Sequence, residues 1–448
     1  MKILYVTHQF FPRHVTGTET YTYELAHEMR SRGHDVEVLC YEHSTFDDVP
    51  KRGVLTDEYK GICVTRFCYD SESWPEPALY EYFNPEFGAM ALDFFSQCKP
   101  DLIHFTHNAF LSTALIDSAR TLNIPTTLTL TDFWYLCPRM QLVRSDGSQC
   151  EGPADDLRCL DCHYLSSGCD LTKPLRDILP RPLKNLAEKA RNALRKTIIL
   201  ALKGKNRFIK AVAQRPAFLK EKMQLVDIVI VATQYLREIF IKAGCRADHL
   251  RLINFGINTG LYEGTAKSPS EKLRVGFVGT LCEHKGAHVL LNAIKDIRRD
   301  DIEIIIYGSE TQFPGYAKKL REIAKNDERI KFCGTFPRED IGKVMAGIDV
   351  LIIPSLWHEN SPLILLYALG THTPVIASNS GGLTEFIADG KNGLLFEQGD
   401  SARLAEHIEN LASDHTLLQT LGSAPVSVMS IATHADKIAG VYSELLQE

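Results

Sequence analysis

Short apolar runs alternate with amphipathic stretches along most of this chain. Lys2–Thr7, KILYVT, is the compact apolar run that a buried parallel strand needs. His8–Thr20 then predicts a loop, and Tyr21–Arg32 a helix with Leu25 and Met29 on one face and Gly33 as its stop. Val36–Tyr41, Leu102–Phe105 and Thr126–Leu130 predict further strands. The pattern restarts in the second half. Arg274–Val278 and Ile302–Tyr307 each end on a glycine, Gly279 and Gly308; Ile330–Cys333, Val350–Ile353 and Val375–Ala377 follow. Strands in this rhythm, with helices between them, predict an α/β fold of two Rossmann-like doubly wound lobes. Ligands are then expected at the carboxyl ends of the strands, in an inter-lobe cleft.

The restart also sets boundaries. Residues 1–255 form the expected first lobe, 256–271 a linker with Gly, Ser and Pro, 272–429 the second lobe, and 430–448 a last helical segment. Two segments interrupt the first lobe. Residues 137–169 are cysteine-rich. Residues 173–222 hold 15 Lys/Arg against 3 Asp/Glu, with Leu183, Leu186, Ala190, Leu194 and Ile198 at helical spacing. That local excess of +12 lies in a chain of net charge −6.

Composition narrows the classes. At 448 residues and 44% hydrophobic content the chain can bury two ordinary cores. Its negative net charge argues against a nucleic-acid partner. No window approaches the roughly 20 consecutive apolar residues of a spanning helix. The first apolar run lacks the length and cleavage site of a signal peptide and reads better as a strand. A cytoplasmic location is expected, and the 12 cysteines are then expected as reduced thiols or metal ligands.

The densest chemistry lies in Asp349–Ile387, DVLIIPSLWHENSPLILLYALGTHTPVIASNSGGLTEFI. A polar loop, Ser355–Asn360, follows the strand. Ser361 is then the expected N-cap and Pro362 the first helical residue, where a missing N–H costs nothing. A helix N-terminus at the end of a parallel strand is an anion site. With Glu359 beside it, it suits a ligand bearing both phosphate and hydroxyl groups, such as a nucleotide-sugar. GFVGTLCEHKG, Gly276–Gly286, is a second loop after a strand, with Lys285 placed to meet a diphosphate. The plain alternatives are an exposed helix-start lysine and an acid favoured by the helix dipole.

WHENSPLILLYALG resembles the donor-site motif of the retaining glycosyltransferases of family 4, which have the GT-B fold. The family motif is two glutamates with seven residues between them. Glu359 matches the first, and Tyr367 stands at the second. The resemblance implies that Glu359 contacts the donor sugar and that position 367 faces the ribose. Backbone N–H groups around Asn360, Ser361 and Leu363 would hold the diphosphate with Lys285. Thr280 stands where the family usually carries Arg or Lys, and His284 is a candidate substitute. Gly334 and Thr335 match the position whose backbone reads the base. Gly381, Gly382 and Glu385 resemble a GG-x-x-E element, with Glu385 expected to cap its own helix.

In the first lobe, VTGTETYTYELAHEMRSRGHDV resembles the family's Gly-rich loop and first helix. Gly17 would let the backbone approach the donor phosphate or the acceptor, and Thr18 replaces a second glycine. Glu19 either lines the acceptor cleft or caps the helix. LIHFTHNAFLS resembles the segment with the active-site histidine. His107, past the strand, is preferred; His104 inside the strand reads as core, and Thr106 is the alternative by a one-residue slip. Thr131 stands where another family histidine often precedes a DFW-like element, here Asp132, Phe133 and Trp134.

The implied reaction moves a sugar, with retention, from a nucleotide-sugar donor to a glycan or a polyprenyl-diphosphate-linked acceptor in surface polysaccharide synthesis. Lys285 and the helix terminus would stabilise the departing diphosphate, with no cofactor required for catalysis. The resemblance also implies that the last helix crosses back to the first lobe. The alternatives are a non-catalytic GT-B nucleotide-sugar-binding protein, since Thr280 and Tyr367 depart from the pattern, or a GT-B phosphorylase or epimerase. Cys137, Cys150, Cys159 and Cys162, closing in C-x-x-C, suit a tetrahedral structural zinc, with His163 and Cys169 as spare ligands; buried thiols are the plain reading. The basic segment suits anionic headgroups or a polyprenyl diphosphate. That would bring the protein peripherally to the inner face of the membrane; a solvated helical insertion is the plain reading. No motif names the sugar, nucleotide or acceptor.

Overall fold

The apolar runs become strands in two sheets. The computed structural model describes residues 1–44, 46, 48–70, 73–152, 159–165 and 207–447. In the first sheet, β1 (Lys2–Thr7), β2 (Asp35–His43), β3 (Arg52–Tyr59), β4 (Ile62–Tyr69), β5 (Leu102–Phe105), β6 (Thr126–Leu130), β7 (Ile228–Val231) and β8 (Leu250–Leu252) lie in the order β3-β4-β2-β1-β5-β6-β7-β8. All neighbours are parallel except β3 against β4. The second sheet is wholly parallel. It contains β9 (Leu273–Val278), β10 (Ile302–Tyr307), β11 (Ile330–Gly334), β12 (Val350–Ile353), β13 (Val375–Ser378) and β14 (Gly393–Phe396), in the order β11-β10-β9-β12-β13-β14. Strand order therefore reverses between β1 and β5 and between β9 and β12. Those switch points are where connections leave in opposite directions and a crevice opens at the carboxyl ends.

Two helix starts differ from expectation. The first helix runs Gly17–Ser31, beginning four residues early, because Thr16 and Glu19 close a capping box at its head. The helix after β12 is Leu363–Gly370, with Pro362 rather than Ser361 at its N-cap. Pro362 has ψ 125°, an extended conformation, so it precedes the first helical residue.

One apolar cluster joins the lobes, running from Tyr5 and Leu25 through Ile438 and Tyr442 to Ile348 and Leu365. The last helix, Ile431–Gln447, packs on the first lobe. Its Tyr442 hydroxyl donates to the Tyr5 hydroxyl at 3.1 Å and lies 2.6 Å from His104 Nδ1. His434 lies 3.1 Å from the Tyr21 hydroxyl, and its Nδ1 donates to the Asn254 carbonyl at 2.9 Å. The segment before that helix runs beside the linker, where Ile257 N–H donates to the Met429 carbonyl at 3.0 Å. Ion pairs of Arg338 with Glu24 and Lys60 with Glu339 also cross between the lobes.

The end of the basic segment forms the helix Arg207–Gln224. Three of its cations are used within the fold: Arg207 pairs with Glu76, Lys222 pairs with Asp117, and Arg215 donates to the Trp134 carbonyl. Residues 173–206, including the Leu183–Ile198 apolar face, lie outside the described residues. Among the described residues, no helix is long and apolar enough to cross a membrane.

Candidate active site at the inter-lobe cleft

The two switch points bring four loops to the cleft. His8 follows β1 and His107 follows β5. The Gly279–Gly286 loop follows β9, and the Pro354–Pro362 loop follows β12. On the second-lobe wall, Lys285 Nζ donates to Glu359 Oε1 at 2.7 Å, and the Ser355 hydroxyl donates to the same oxygen at 2.7 Å. Glu359 is 3% exposed. Burial alone would raise its pKa, but Lys285 and these hydrogen bonds hold it below the ordinary carboxylate value. Lys285 also lies over the Trp357 ring, 4.9 Å from its centre. The two loops meet because of Gly286. Its φ is +72°, and a Cβ there would collide with the Pro354 carbonyl oxygen.

The helix Leu363–Gly370 has no side-chain cap, and although Leu365 N–H donates to the Pro362 carbonyl at 3.0 Å, the N–H groups of Leu363 and Ile364 remain for a ligand. Ser361 beside it and Ser378 at the end of β13 have buried hydroxyls without hydrogen-bond partners. Leu363 is half-buried as the first helical residue, and Thr280 is half-buried in the β9 loop. Gly334, φ +68°, ends β11, and the exposed Thr335 follows it. Tyr367 points into the shared core instead of open space, 5% exposed and edge-on to Tyr262. Asn360 is also committed elsewhere. Its Oδ1 accepts from the Thr233 hydroxyl at 2.8 Å, and its Nδ2 reaches the Leu130 and Thr131 carbonyls at 3.4 Å, so its side chain ties the lobes together. Glu385 caps a helix of the other lobe, Gln234–Lys242, and not its own. It accepts from the backbone N–H groups of Gln234 and Tyr235 at 2.9 and 2.6 Å.

On the first-lobe wall the polar groups largely hold one another, although the buried His8 Nδ1 has no hydrogen-bond partner among the described residues. Ala109 N–H donates to His107 Nδ1 at 3.0 Å, which leaves the proton on Nε2, donated to Asp132 Oδ2 at 3.0 Å. Trp134 N–H donates to Asp132 Oδ1 at 2.7 Å. Burial works against the Asp132 carboxylate, but His107 and this backbone bond keep its pKa below the ordinary value. The His8 ring lies 4.4 Å from the His107 ring, and its Nε2 is 3.3 Å from Glu19 Oε1. Burial and His107 push His8 down to about 4, so it is neutral near pH 7. Glu19 accepts from Thr16 N–H at 3.1 Å, so it caps the first helix while holding His8. Gly17 opens that helix into free space, where a Cβ would meet nothing within 4 Å. His104 is a core residue, bonded to Thr129 and Tyr442, and Thr106 bonds the Thr22 hydroxyl.

Cys137 is buried, and Cys150, Cys159 and Cys162 are half-buried. Burial, with the neighbouring thiols, pushes the Cys159 thiol up to about 12. Burial raises the Cys137 thiol, while the backbone N–H groups of Leu142, Arg139 and Gln141 oppose that shift. Among the described residues, no three His, Cys, Asp or Glu side chains are grouped as a metal site requires. His163 lies 3.1 Å from Glu81, and Cys169 lies outside the described residues.

The family model described as "Glycosyltransferase Family 4" matches residues 15–146, and "Glycosyl transferases group 1" matches residues 272–414. The chain belongs to glycosyltransferase family 4. The D-inositol 3-phosphate glycosyltransferase of Corynebacterium diphtheriae is 27% identical to this family 4 member over 248 residues, which is 50% of this chain and 58% of that one. The chain thus spans little more than half the length of that relative. Spore coat protein SA of Bacillus subtilis is 30% identical over 33% of this chain and 41% of its own. Among solved structures, Anabaena HepE in complex with UDP-glucose matches 99% of this chain and 100% of that one, with TM-score 0.65 at 20% identity. Sucrose-phosphate synthase from Thermosynechococcus elongatus matches 100% of both chains, with TM-score 0.68 at 16% identity. These structural likenesses show the GT-B fold.

His8 was not among the residues singled out from the sequence. The signal was present, since it directly follows the first apolar run, as His107 follows β5. The Asn360 bridge had no local signal.

Proposed function

We propose that the protein transfers a sugar, with retention, from a nucleotide-sugar donor to a glycan or lipid-linked acceptor in surface polysaccharide synthesis. The observation that carries this reading is the Lys285–Glu359 pair at the uncapped head of the Leu363–Gly370 helix. A diphosphate arriving there offers Lys285 a stronger partner and meets the free N–H groups and the Ser361 hydroxyl. Glu359, released, turns to the sugar hydroxyls. As the anomeric bond breaks, negative charge grows on the leaving diphosphate, where Lys285 and the helix terminus lower its energy. The acceptor hydroxyl then adds on the face the diphosphate leaves, and its proton passes to the departing phosphate oxygen. No cofactor takes part in these steps. Gly334 and Thr335 contact the base, Gly17 lies beside the phosphates or the acceptor, and Thr280 borders the site, while Tyr367 supports it from the core.

A UDP-sugar is the first donor to test, because HepE was crystallised with UDP-glucose. A thermal-shift screen of UDP, GDP and ADP sugars should raise the melting midpoint for one nucleotide class. Proton NMR of the first product should then show the donor's anomeric configuration. No shift with any donor, or an inverted product, would contradict the proposal. The remaining cations of residues 173–222 are proposed to meet anionic headgroups at the inner membrane face. Flotation with vesicles containing phosphatidylglycerol should fall as salt rises, and salt-independent flotation or none would refute this. A structural zinc is proposed at Cys137, Cys150, Cys159 and Cys162 on the all-thiol donor set; the four thiols are not grouped as a metal site requires in this structure, so the ion would draw them together. Unchelated protein should contain one zinc per chain, and a metal-free preparation would refute it.

A further inference from the structure

Thr280 leaves the donor loop with Lys285 as its one ammonium, and Lys285 is engaged by Glu359. A second cation, Arg139, stands on a turn of the opposite lobe that meets the second-lobe wall. Arg139 lies in the turn after Cys137, and that turn is held on every side. Cys137 N–H donates to the Phe133 carbonyl at 2.7 Å, and Met140 N–H donates to the Cys137 carbonyl at 2.9 Å. Met140 and Leu142 take left-handed φ values of +64° and +52°, a conformation non-glycine residues adopt only when their surroundings enforce it. Val143 then pairs with Gln149 in a short hairpin. Gln149 Nε2 crosses the cleft to donate to the Leu356 carbonyl at 2.8 Å, and Leu356 N–H donates to the His284 carbonyl at 2.8 Å. Phe133, at the start of the turn, packs edge-on against Trp357, whose ring also meets His284. The cysteine-rich turn is therefore seated on the Pro354–Pro362 loop, which in turn holds His284 of the donor loop.

Arg139 is half-buried there, and its Nε is buried with no hydrogen-bond partner. Among the described residues no carboxylate pairs with it, although its charge is near enough to act on His284. A partly buried guanidinium without a counter-ion is unfavourable unless a bound anion completes it. We propose that Arg139 binds phosphate oxygens of the donor diphosphate, closing with Lys285 a two-cation clamp from opposite walls and supplying the charge that Thr280 withholds. This rests on the donor-site reading above. A phosphate could also belong to an acceptor; the seat on the Pro354–Pro362 loop, which carries Glu359 and Ser361, favours the diphosphate.

Calorimetric titration of UDP, GDP and ADP, with the corresponding monophosphates and nucleosides, tests this on wild type, Arg139→Gln, Arg139→Lys and Lys285→Gln. For the nucleotide that binds wild type, Arg139→Gln should weaken the diphosphate at least about tenfold, the monophosphate less and the nucleoside not at all. Arg139→Lys should recover part of the loss and guards against a folding defect in the glutamine variant. Diphosphate affinity within twofold of wild type in Arg139→Gln overturns the proposal, whether or not the KM for a phosphorylated acceptor rises. If Lys285→Gln alone loses affinity, the donor site stands and Arg139 is no part of it. If no nucleoside diphosphate binds wild type, the donor-site reading fails and this inference with it.

Discussion

The two walls of the cleft use their polar side chains in opposite ways. On the first-lobe wall, His107, Asp132, Glu19 and Thr16 hold one another, and both His107 nitrogens are occupied by protein. On the second-lobe wall, the helix head is uncapped, Ser361 and Ser378 have no partners, and Lys285 and Glu359 have mainly each other. Unsatisfied buried donors are unfavourable, so a wall that keeps them is organised around a ligand bringing its own acceptors. A wall whose groups mostly hold one another fixes positions, and on the first lobe the exceptions include the buried Nδ1 of His8 and Nε of Arg139. The comparison assigns charge stabilisation chiefly to the second lobe, with Arg139 as the first lobe's proposed share, and orientation of the reacting groups to the first.

The largest expected effect falls on the second wall. Glu359→Gln should lower the transfer rate about 10³-fold, because it loses a carboxylate that engages the sugar and frees Lys285 from its resting partner. Steady-state assays with the donor found by thermal shift check this, and a rate within tenfold of wild type breaks the assignment. His107→Ala should lower the rate about 10²-fold with donor affinity unchanged, the pattern of a positioning loss. A weaker donor affinity with the rate preserved would reverse the roles of the walls.

Acid should separate the lobes. His104 and His434, which dock the last helix on the first lobe, are pushed by burial down to about 3 and about 4. The unfolded chain, with histidines near 6.5, binds more protons than the folded one below that pH. This stability is therefore complete above about pH 6.5 and lost as pH falls toward 4, on the order of 3 kcal/mol per histidine. Hydrogen exchange should show residues 431–447 opening before β9–β14 as pH drops. Protection of that helix down to pH 4 would contradict the account. The smallest effect is expected at Tyr367. Tyr367→Phe keeps the ring against Tyr262 and should change nucleotide affinity less than about threefold.

The second lobe was the more legible in the sequence, and the physics of its sheet explains why. β9, β10, β12 and β13 are buried at most positions and show as continuous apolar runs, so they were anticipated, as was the alternating edge strand β11. The β3–β4 hairpin was not. β3 alternates between exposed and half-buried positions at a sheet edge, and β4 carries Arg66, fully buried because Asp57 and Glu42 pair with it. Such a charge looks like a strand breaker until its partners are known. At the site, Lys285 and Glu359 could be read because each sits in a strand–loop–helix motif. The Asn360 bridge, the Glu385 cap across the cleft and the seat of Arg139 depend on how the lobes meet, which no local pattern encodes.

Titrating the nucleoside diphosphate that binds wild type into Lys285→Ala and Asp132→Asn side by side tests this division of labour most directly. The account predicts affinity weakened by more than about tenfold in Lys285→Ala and within twofold of wild type in Asp132→Asn. Equal losses in both variants, or a loss confined to Asp132→Asn, would contradict it.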